Sequence, residues 1–353
     1  MNKLLYIAAN DGTDARVVKE LKTLSREFDL VFLGCSRKKN KNNFLKNLLI
    51  KKITIPLSHR NLLTYFFFNV FVIYFRIKYR FNSIHIVDEQ TFLFVWPSCL
   101  FKPVILDIFD SIFLKLNLHG ERFLLIKSFI YSLVKVIIVT DEARKSLLPT
   151  KYQNKAVVVP NFPFQVKGFN RNSSSHNSDV IKIGCFGSLS LKRDIAFLDS
   201  LTKISPTVKI ICAGWVSDDK TNHTITNNKS FAYLGVLPQS DILKIISDMD
   251  FISMIYPRDN INNKYASPNK LYDAIQIGVP VLCNDDINIS KEIYNNGFGI
   301  LVSRNEISCP TLSLLEKIRS FNALSAVQYN EYRLKYCWDN YEPILLGCHF
   351  YRL

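Results

Sequence analysis

Short continuous apolar runs recur along this chain, separated by stretches in which apolar residues return every three or four positions. Leu4–Ala8, Leu30–Gly34, Ser83–Val87, Val104–Asp107, Val136–Val139 and Ala156–Asn161 read as strands covered on both faces. Val17, Leu21 and Leu24 give helical spacing within 14–26, and further helices are expected over 61–80 and 121–133. The pattern begins again at Ile181. Strands are expected at Ile181–Phe186, Val208–Ala213, Phe231–Leu234, Phe251–Ile255, Val279–Leu282 and Ile300–Val302. Helices are expected over 193–201, 240–247, 269–276 and 290–295, across 311–333, and over 341–348. Apolar strands alternating with helices predict a parallel, doubly wound α/β sheet, here twice over. Residues 167–178, rich in Ser, Asn and Gly, read as a connector between the two series. The expected layout is a first Rossmann-like domain over 1–165, a linker over 166–180 and a second domain over 181–330. A helical segment over 331–353 is expected to return to the first domain.

Composition agrees with two cores: the chain has 353 residues, 48% of them hydrophobic. Its eight cysteines form no CxxC pair and lie mostly in apolar runs. They read as buried thiols in a reducing compartment, not as a zinc site or a disulfide framework. The opening run Leu4–Ala9 ends at Asn10-Asp11, which favours a buried strand over a signal peptide.

Charge is distributed unevenly. The net charge is +15, and residues 1–170 hold 26 Lys/Arg against 12 Asp/Glu. No acidic residue occurs between Asp29 and Asp88, a gap that contains eleven cations and the aromatic run Leu62–Phe75. That run is shorter than the ~20 residues of a membrane span. Basic residues beside an aromatic apolar helix suit the surface of an anionic membrane; a buried helix with solvated basic neighbours is the alternative. No recognition-helix or zinc-finger signature accompanies the charge, so nucleic acid is not expected as a partner.

Two segments carry chemistry. Ser267-Pro268-Asn269-Lys270-Leu271-Tyr272-Asp273 opens a short helix that Gly278 and Pro280 end. Unpaired amides at such a helix start suit a diphosphate, Lys270 adds a full charge, and Asp273 lies one turn on, able to accept from sugar hydroxyls. Gly184-Cys185-Phe186-Gly187-Ser188-Leu189-Ser190-Leu191-Lys192-Arg193-Asp194 reads as a strand, a glycine turn and a basic helix start. Gly187 permits close backbone approach, and Arg193, with Lys192 second, can bridge phosphate oxygens. The alternatives are an ordinary capped helix and solvated surface cations.

Together these segments resemble the donor site of GT-B-fold glycosyltransferases, especially the family 4 group. The resemblance implies two Rossmann-like domains with an inter-domain cleft. It implies donor contacts from Gly187, Lys192, Arg193, Asn269, Lys270 and Asp273, the last on the donor ribose. Tyr265 stands where the family often has a further glutamate. Tyr233-Leu234-Gly235-Val236-Leu237-Pro238 resembles a nucleotide-pocket loop, in which Gly235 and Leu237 contact the base through backbone. Asp11-Gly12-Thr13-Asp14-Ala15-Arg16-Val17 resembles the segment that places Gly12 and Thr13 near the acceptor. His85-Ile86-Val87-Asp88-Glu89 resembles the family's His-x-His-acid region, with Asp88 as acceptor-orienting residue or general base. Asp107 and Asp110 read as a second carboxylate pair, in acceptor-side or capping roles. Trp338-Asp339-Asn340-Tyr341-Glu342 resembles the terminal segment that crosses back to the first domain.

The resulting expectation is a cytoplasmic glycosyltransferase, peripheral on the inner face of a bacterial membrane. It would move a sugar from a nucleotide-diphosphate sugar to a lipid-linked saccharide in surface-polysaccharide assembly, without a metal or cofactor. A nucleotide-sugar epimerase of the same fold and a non-catalytic sugar-nucleotide scaffold are the alternatives.

Overall fold

The computed structural model describes residues 2–37, 50–118, 121–166, 179–259 and 261–350. Most of the expected connector, 167–178, lies outside the described residues. Two compact units emerge: Met1–Asn161 with Trp338–Leu353, and Phe162–Cys337.

In the first unit, β1 (Asn2–Ile7), β2 (Phe28–Cys35), β3 (Lys51–Ile55), β4 (Ser83–Val87), β5 (Val104–Ile108), β6 (Val136–Val139) and β7 (Ala156–Val158) form one sheet. Its order is β3-β2-β1-β4-β5-β6-β7, and every pairing is parallel. The central strands are mostly apolar because helices cover both faces, with His85 on β4 and Asp107 on β5 among the polar exceptions. β3 has only two isoleucines and was not expected from the sequence. It lies at the sheet edge, where lysines discourage further pairing. Asp14 caps the helix Ala15–Leu24, accepting from the amides of Arg16 and Val17. Asn61 caps the helix Leu62–Tyr79 in the same way.

In the second unit, β8 (Ile181–Leu189), β9 (Val208–Val216), β10 (Phe231–Tyr233), β11 (Phe251–Met254), β12 (Val281–Asn284) and β13 (Gly299–Val302) form a second parallel sheet. Its order is β10-β9-β8-β11-β12-β13. Counted within each unit, both sheets run 3-2-1-4-5-6, the doubly wound order, with β7 added as a seventh strand in the first. The single helical stretch expected over 311–333 is two helices, Leu312–Arg319 and Ala326–Lys335. Ser325 and Gln328 form a capping box that starts the second afresh. That second helix stays with the second unit: Gln276 Nε2 donates to the carbonyls of Arg333 and Tyr336, and Arg333 donates to the Ile277 carbonyl. The chain returns to the first unit at Trp338, whose indole donates to Thr23 Oγ1 at 3.0 Å. Glu342, which opens the last helix, Glu342–Phe350, accepts from Thr23 and Arg26.

Beneath β1, β4 and β5 lies a charged group with no access to water. Arg16 donates to both Asp107 oxygens and to the Val159 carbonyl, and lies 2.9 Å from Glu20. Tyr6 donates to Glu20 at 2.6 Å and stacks on His85. His85 in turn meets His349 of the last helix at 3.2 Å. Burial and the neighbouring Glu20 push the Asp107 carboxyl up, against the pull of Arg16, while Arg16 above all holds Glu20 ionised despite its burial. One arginine thus faces two buried carboxylates. Glu20, His85 and Asp107 have metal-ligand spacing. Arg16 lies against both carboxylates, so the set reads first as an ion group, although Glu20 Oε1 and His85 Nε2 have no hydrogen-bond partner.

Removing one member of such a group strands a buried charge. Asp107→Ala is expected to lower unfolding free energy by roughly 3 kcal/mol or more, as measured by the urea midpoint. The exposed change Lys203→Ala, which breaks a surface pair with Asp199, is expected to cost less than about 1 kcal/mol.

Candidate functional site

In a doubly wound sheet the connecting helices leave for opposite faces on either side of the first strand, which opens a crevice at the strands' carboxyl ends. In the second unit that crevice lies between β8 and β11. The two chemistry-bearing segments both arrive there. Gly187, two residues before the end of β8, has φ +91°, where a side chain is strained. Gly214 at the end of β9 must also be glycine: a Cβ there would sit 1.8 Å from the Gly187 carbonyl oxygen. The Gly214 amide donates to Gly235, which has φ +75° and open space where a Cβ would project. Leu237, two residues on, is half-buried.

The sequence places the next helix at Arg193, but the regular helix begins at Ala196. Leu191–Ile195 form a wide turn in which Arg193 leaves helical geometry (φ −101°, ψ −125°). This break turns Asp194 inward. Its Oδ1 accepts from Ser253 Oγ at 2.6 Å and the Ile255 amide at 2.7 Å, and its Oδ2 accepts from Lys270 Nζ at 3.1 Å. Burial alone would lower the lysine's proton affinity; the Asp194 carboxylate outweighs it and keeps the ammonium charged. Lys270, which the sequence offered as a phosphate-binding cation, is paired with Asp194. Arg193 lies over the Tyr256 ring at 4.6 Å, and both it and Lys270 act electrostatically on that tyrosine, so a second cation stands beside the Asp194–Lys270 pair. Lys192 is exposed on the same turn.

The helix Asn269–Ile277 begins with Pro268 at the cap position, without a capping side chain and without an acidic residue in its first turn. Its first turn therefore carries no capping or acidic side chain of its own against the partial positive charge of its amides. Asn269 is exposed at that start. Asp273, one turn later and nearly buried, accepts from Gln239 Nε2 at 3.1 Å. Asp194, Ser253, Tyr256 and Gln239 were not singled out by the sequence. Their only prior signal was position at the carboxyl end of a strand or the start of a helix.

In the first unit the corresponding crevice lies between β1 and β4. Gly12 (φ +78°) and Thr13 turn on the side chains of Asn10 and Asp11 at the end of β1. At the end of β4, Asp88 takes a strained φ of +62°. Its Oδ1 accepts the amides of Phe109 and Asp110 at 2.9 and 3.1 Å. Its Oδ2 has no protein partner among the described residues. Burial first, and the Asp110 carboxylate second, push the Asp88 carboxyl up to about 7, against those two amides. Asp110 itself is exposed and pairs with Lys115 at 3.1 Å. The structure separates the expected carboxylate pair: Asp107 belongs to the buried group under the sheet, because Arg16 draws it inward, and Asp110 stays at the rim.

No protein-family model and no curated sequence matches the chain. Solved structures do resemble it over nearly their whole length. Sucrose-phosphate synthase from Thermosynechococcus elongatus matches with a TM-score of 0.75 at 12% identity, covering 100% of this chain and 98% of that one. Anabaena HepE in complex with UDP and glucose matches at 0.71 and 12% identity, over 98% of this chain and 99% of that one. A UDP-N-acetylglucosamine 2-epimerase matches at 0.63 and 12% identity, over 100% and 98%. The fold is the two-unit α/β architecture of the GT-B glycosyltransferases, to which these structures are similar.

The Asp88 carboxyl keeps its proton in the folded state to about pH 7, against an ordinary value of 3.8 when unfolded. Between those values the native state binds more protons, so stability falls as pH rises from about 4 to 7. Asp88→Asn is expected to flatten that part of the pH–stability curve measured by thermal melting. Gly214→Ala is expected to lower Tm by several degrees, since a backbone clash cannot relax without parting β8 from β9.

Proposed function

We propose that this chain transfers a sugar from a nucleotide-diphosphate sugar to a hydroxyl of a lipid-linked saccharide. The observation that carries this reading is the crevice of the second unit. There an uncapped helix start, a glycine turn and Arg193 offer hydrogen-bond donors and positive charge beside the mutually neutralised Asp194–Lys270 pair. A diphosphate matches it in charge and in hydrogen-bond demand. Backbone at Gly235 and Leu237 would border the base, and Asp273, shared with Gln239, would hold the ribose. These cations and amides would stabilise the departing diphosphate in the way a metal does elsewhere, so the reaction is proposed to be metal-independent.

In the first unit Asp88 has one oxygen fixed by backbone amides and the other open. A carboxyl near neutral pKa there suits a general base. The acceptor oxygen attacks the anomeric carbon, the bond from that carbon to the diphosphate oxygen breaks, and the hydroxyl proton passes to Asp88. The nucleoside diphosphate leaves with the electron pair. Gly12, Thr13 and Asp110 border the acceptor side. The lipid part of the reading rests on the basic character of residues 1–170 and on the apolar helix Leu62–Tyr79. It places the protein on the cytoplasmic face of a bacterial membrane, in surface-polysaccharide assembly. HepE, with UDP and glucose bound, supports a UDP-sugar as the first donor to try.

Titration calorimetry with UDP tests the cradle: Arg193→Ala is expected to raise Kd about tenfold or more. Asp88→Asn is expected to leave UDP affinity unchanged while lowering sugar transfer by about 10²-fold or more. The same fold occurs in a UDP-N-acetylglucosamine 2-epimerase. Conversion of a UDP-sugar to its epimer without an acceptor would move the assignment there, and UDP binding without any turnover would point to a scaffold.

A further inference from the structure

Three helices cover one face of the first sheet: Leu62–Tyr79, Glu89–Cys99 and Glu121–Leu133. They form one layer. Tyr65 stacks on Phe94 at 4.3 Å, Asn69 donates to the Phe94 carbonyl, and Arg76 donates to Ser98. On the other side Trp96 meets Phe129 edge-on at 5.1 Å. The inner face of the layer is core: Phe68, Val72 and Phe75 from the first helix, Phe92 and Val95 from the second, Ile130 from the third.

The outer face is also apolar, which a solvent-facing helix layer is not expected to be. Phe66, Ile73 and Ile77 are exposed on the first helix, Ile77 by 77%, and Leu125 on the third by 73%. A second, independent feature joins them. Phe101, in the turn after the second helix, has φ +65°, and its side chain is 94% exposed. A bulky residue in the left-handed region is strained, and here the strain holds an aromatic ring out in water.

We infer that the outer face of this three-helix layer is a docking surface for an anionic lipid bilayer, with Phe101 and Leu125 inserting alongside the Leu62–Tyr79 helix. The inference rests on the membrane part of the proposed function and extends it from one helix to a plane. Charge complementarity selects the partner: the chain has no carboxylate from residue 30 to residue 87, and exposed cations sit on or next to the layer's own helices, Lys78 on the first, Arg80 at its C-terminal cap and Arg122 on the third. Such a rim is attracted to anionic headgroups while the apolar side chains enter the acyl boundary. The first helix is long and apolar enough to cross a membrane. Its inner face is committed to the sheet, so it lies flat on the bilayer.

The test is co-sedimentation of the full chain with vesicles of phosphatidylglycerol and phosphatidylcholine, and with phosphatidylcholine alone. Binding is expected to the anionic vesicles and to weaken with salt. The double variants Phe101→Ser/Leu125→Ser and Ile73→Ser/Ile77→Ser are each expected to lower partitioning about tenfold or more, with UDP affinity and Tm retained. Loss in the Ile73/Ile77 variant alone would overturn the extended plane and leave the single-helix reading standing. Absence of vesicle binding in the wild type would overturn both, while UDP binding would still speak separately for the donor site. A dimer in sedimentation velocity that these substitutions dissociate, without vesicle binding, would make the face a contact between copies and overturn the inference.

Discussion

A single buried carboxylate organises the second unit's crevice. Asp194 accepts from the side chain and backbone at the end of β11 and from Lys270 in the first turn of the helix Asn269–Ile277. It therefore locks together the turn after β8, the strand beside it and the start of the helix that carries the most distinctive sequence in the chain. Lys270 repays that carboxylate with its own charge, and the pair is nearly neutral. What remains for an incoming anion is Arg193 and the helix amides. The ion pair fixes geometry, and the guanidinium and backbone dipoles supply attraction.

The first unit repeats the logic with different groups. Arg16 ties the first helix to β5 and to the chain after β7, while His85 and His349 connect β4 to the last helix. With that group holding the strands from beneath, Asp88 can occupy a strained backbone conformation at the end of β4. Its carboxyl is kept near neutral pKa by burial and by Asp110. The charged interior and the strained rim residue lie on successive strands of one sheet, so one stabilises the place where the other acts.

The same sheet explains why the apolar helices have two apolar faces. One is needed to cover strands that are hydrophobic on both sides. The other has no such structural demand. A sequence run rich in Phe, Ile and Leu looks alike whether both faces are buried or only one.

Local pattern determined most of the fold. The positions of the central strands, the helices Leu62–Tyr79, Glu121–Leu133 and Ser290–Asn295, and the glycine turn and helix start of the second unit follow from apolar periodicity and capping chemistry. That information lies within a few residues. The sequence missed β3, whose weak pattern reflects an edge position, and the wide turn at Arg193, which exists because Asp194 finds partners about sixty residues away. Tertiary structure alone decided that Lys270 is paired, that Asp273 meets Gln239, and that Asp107 goes inward while Asp110 stays outside. A charged side chain's partner depends on which distant strands and helices converge around it, and on how little water is left there. Neither is written in the residues beside it.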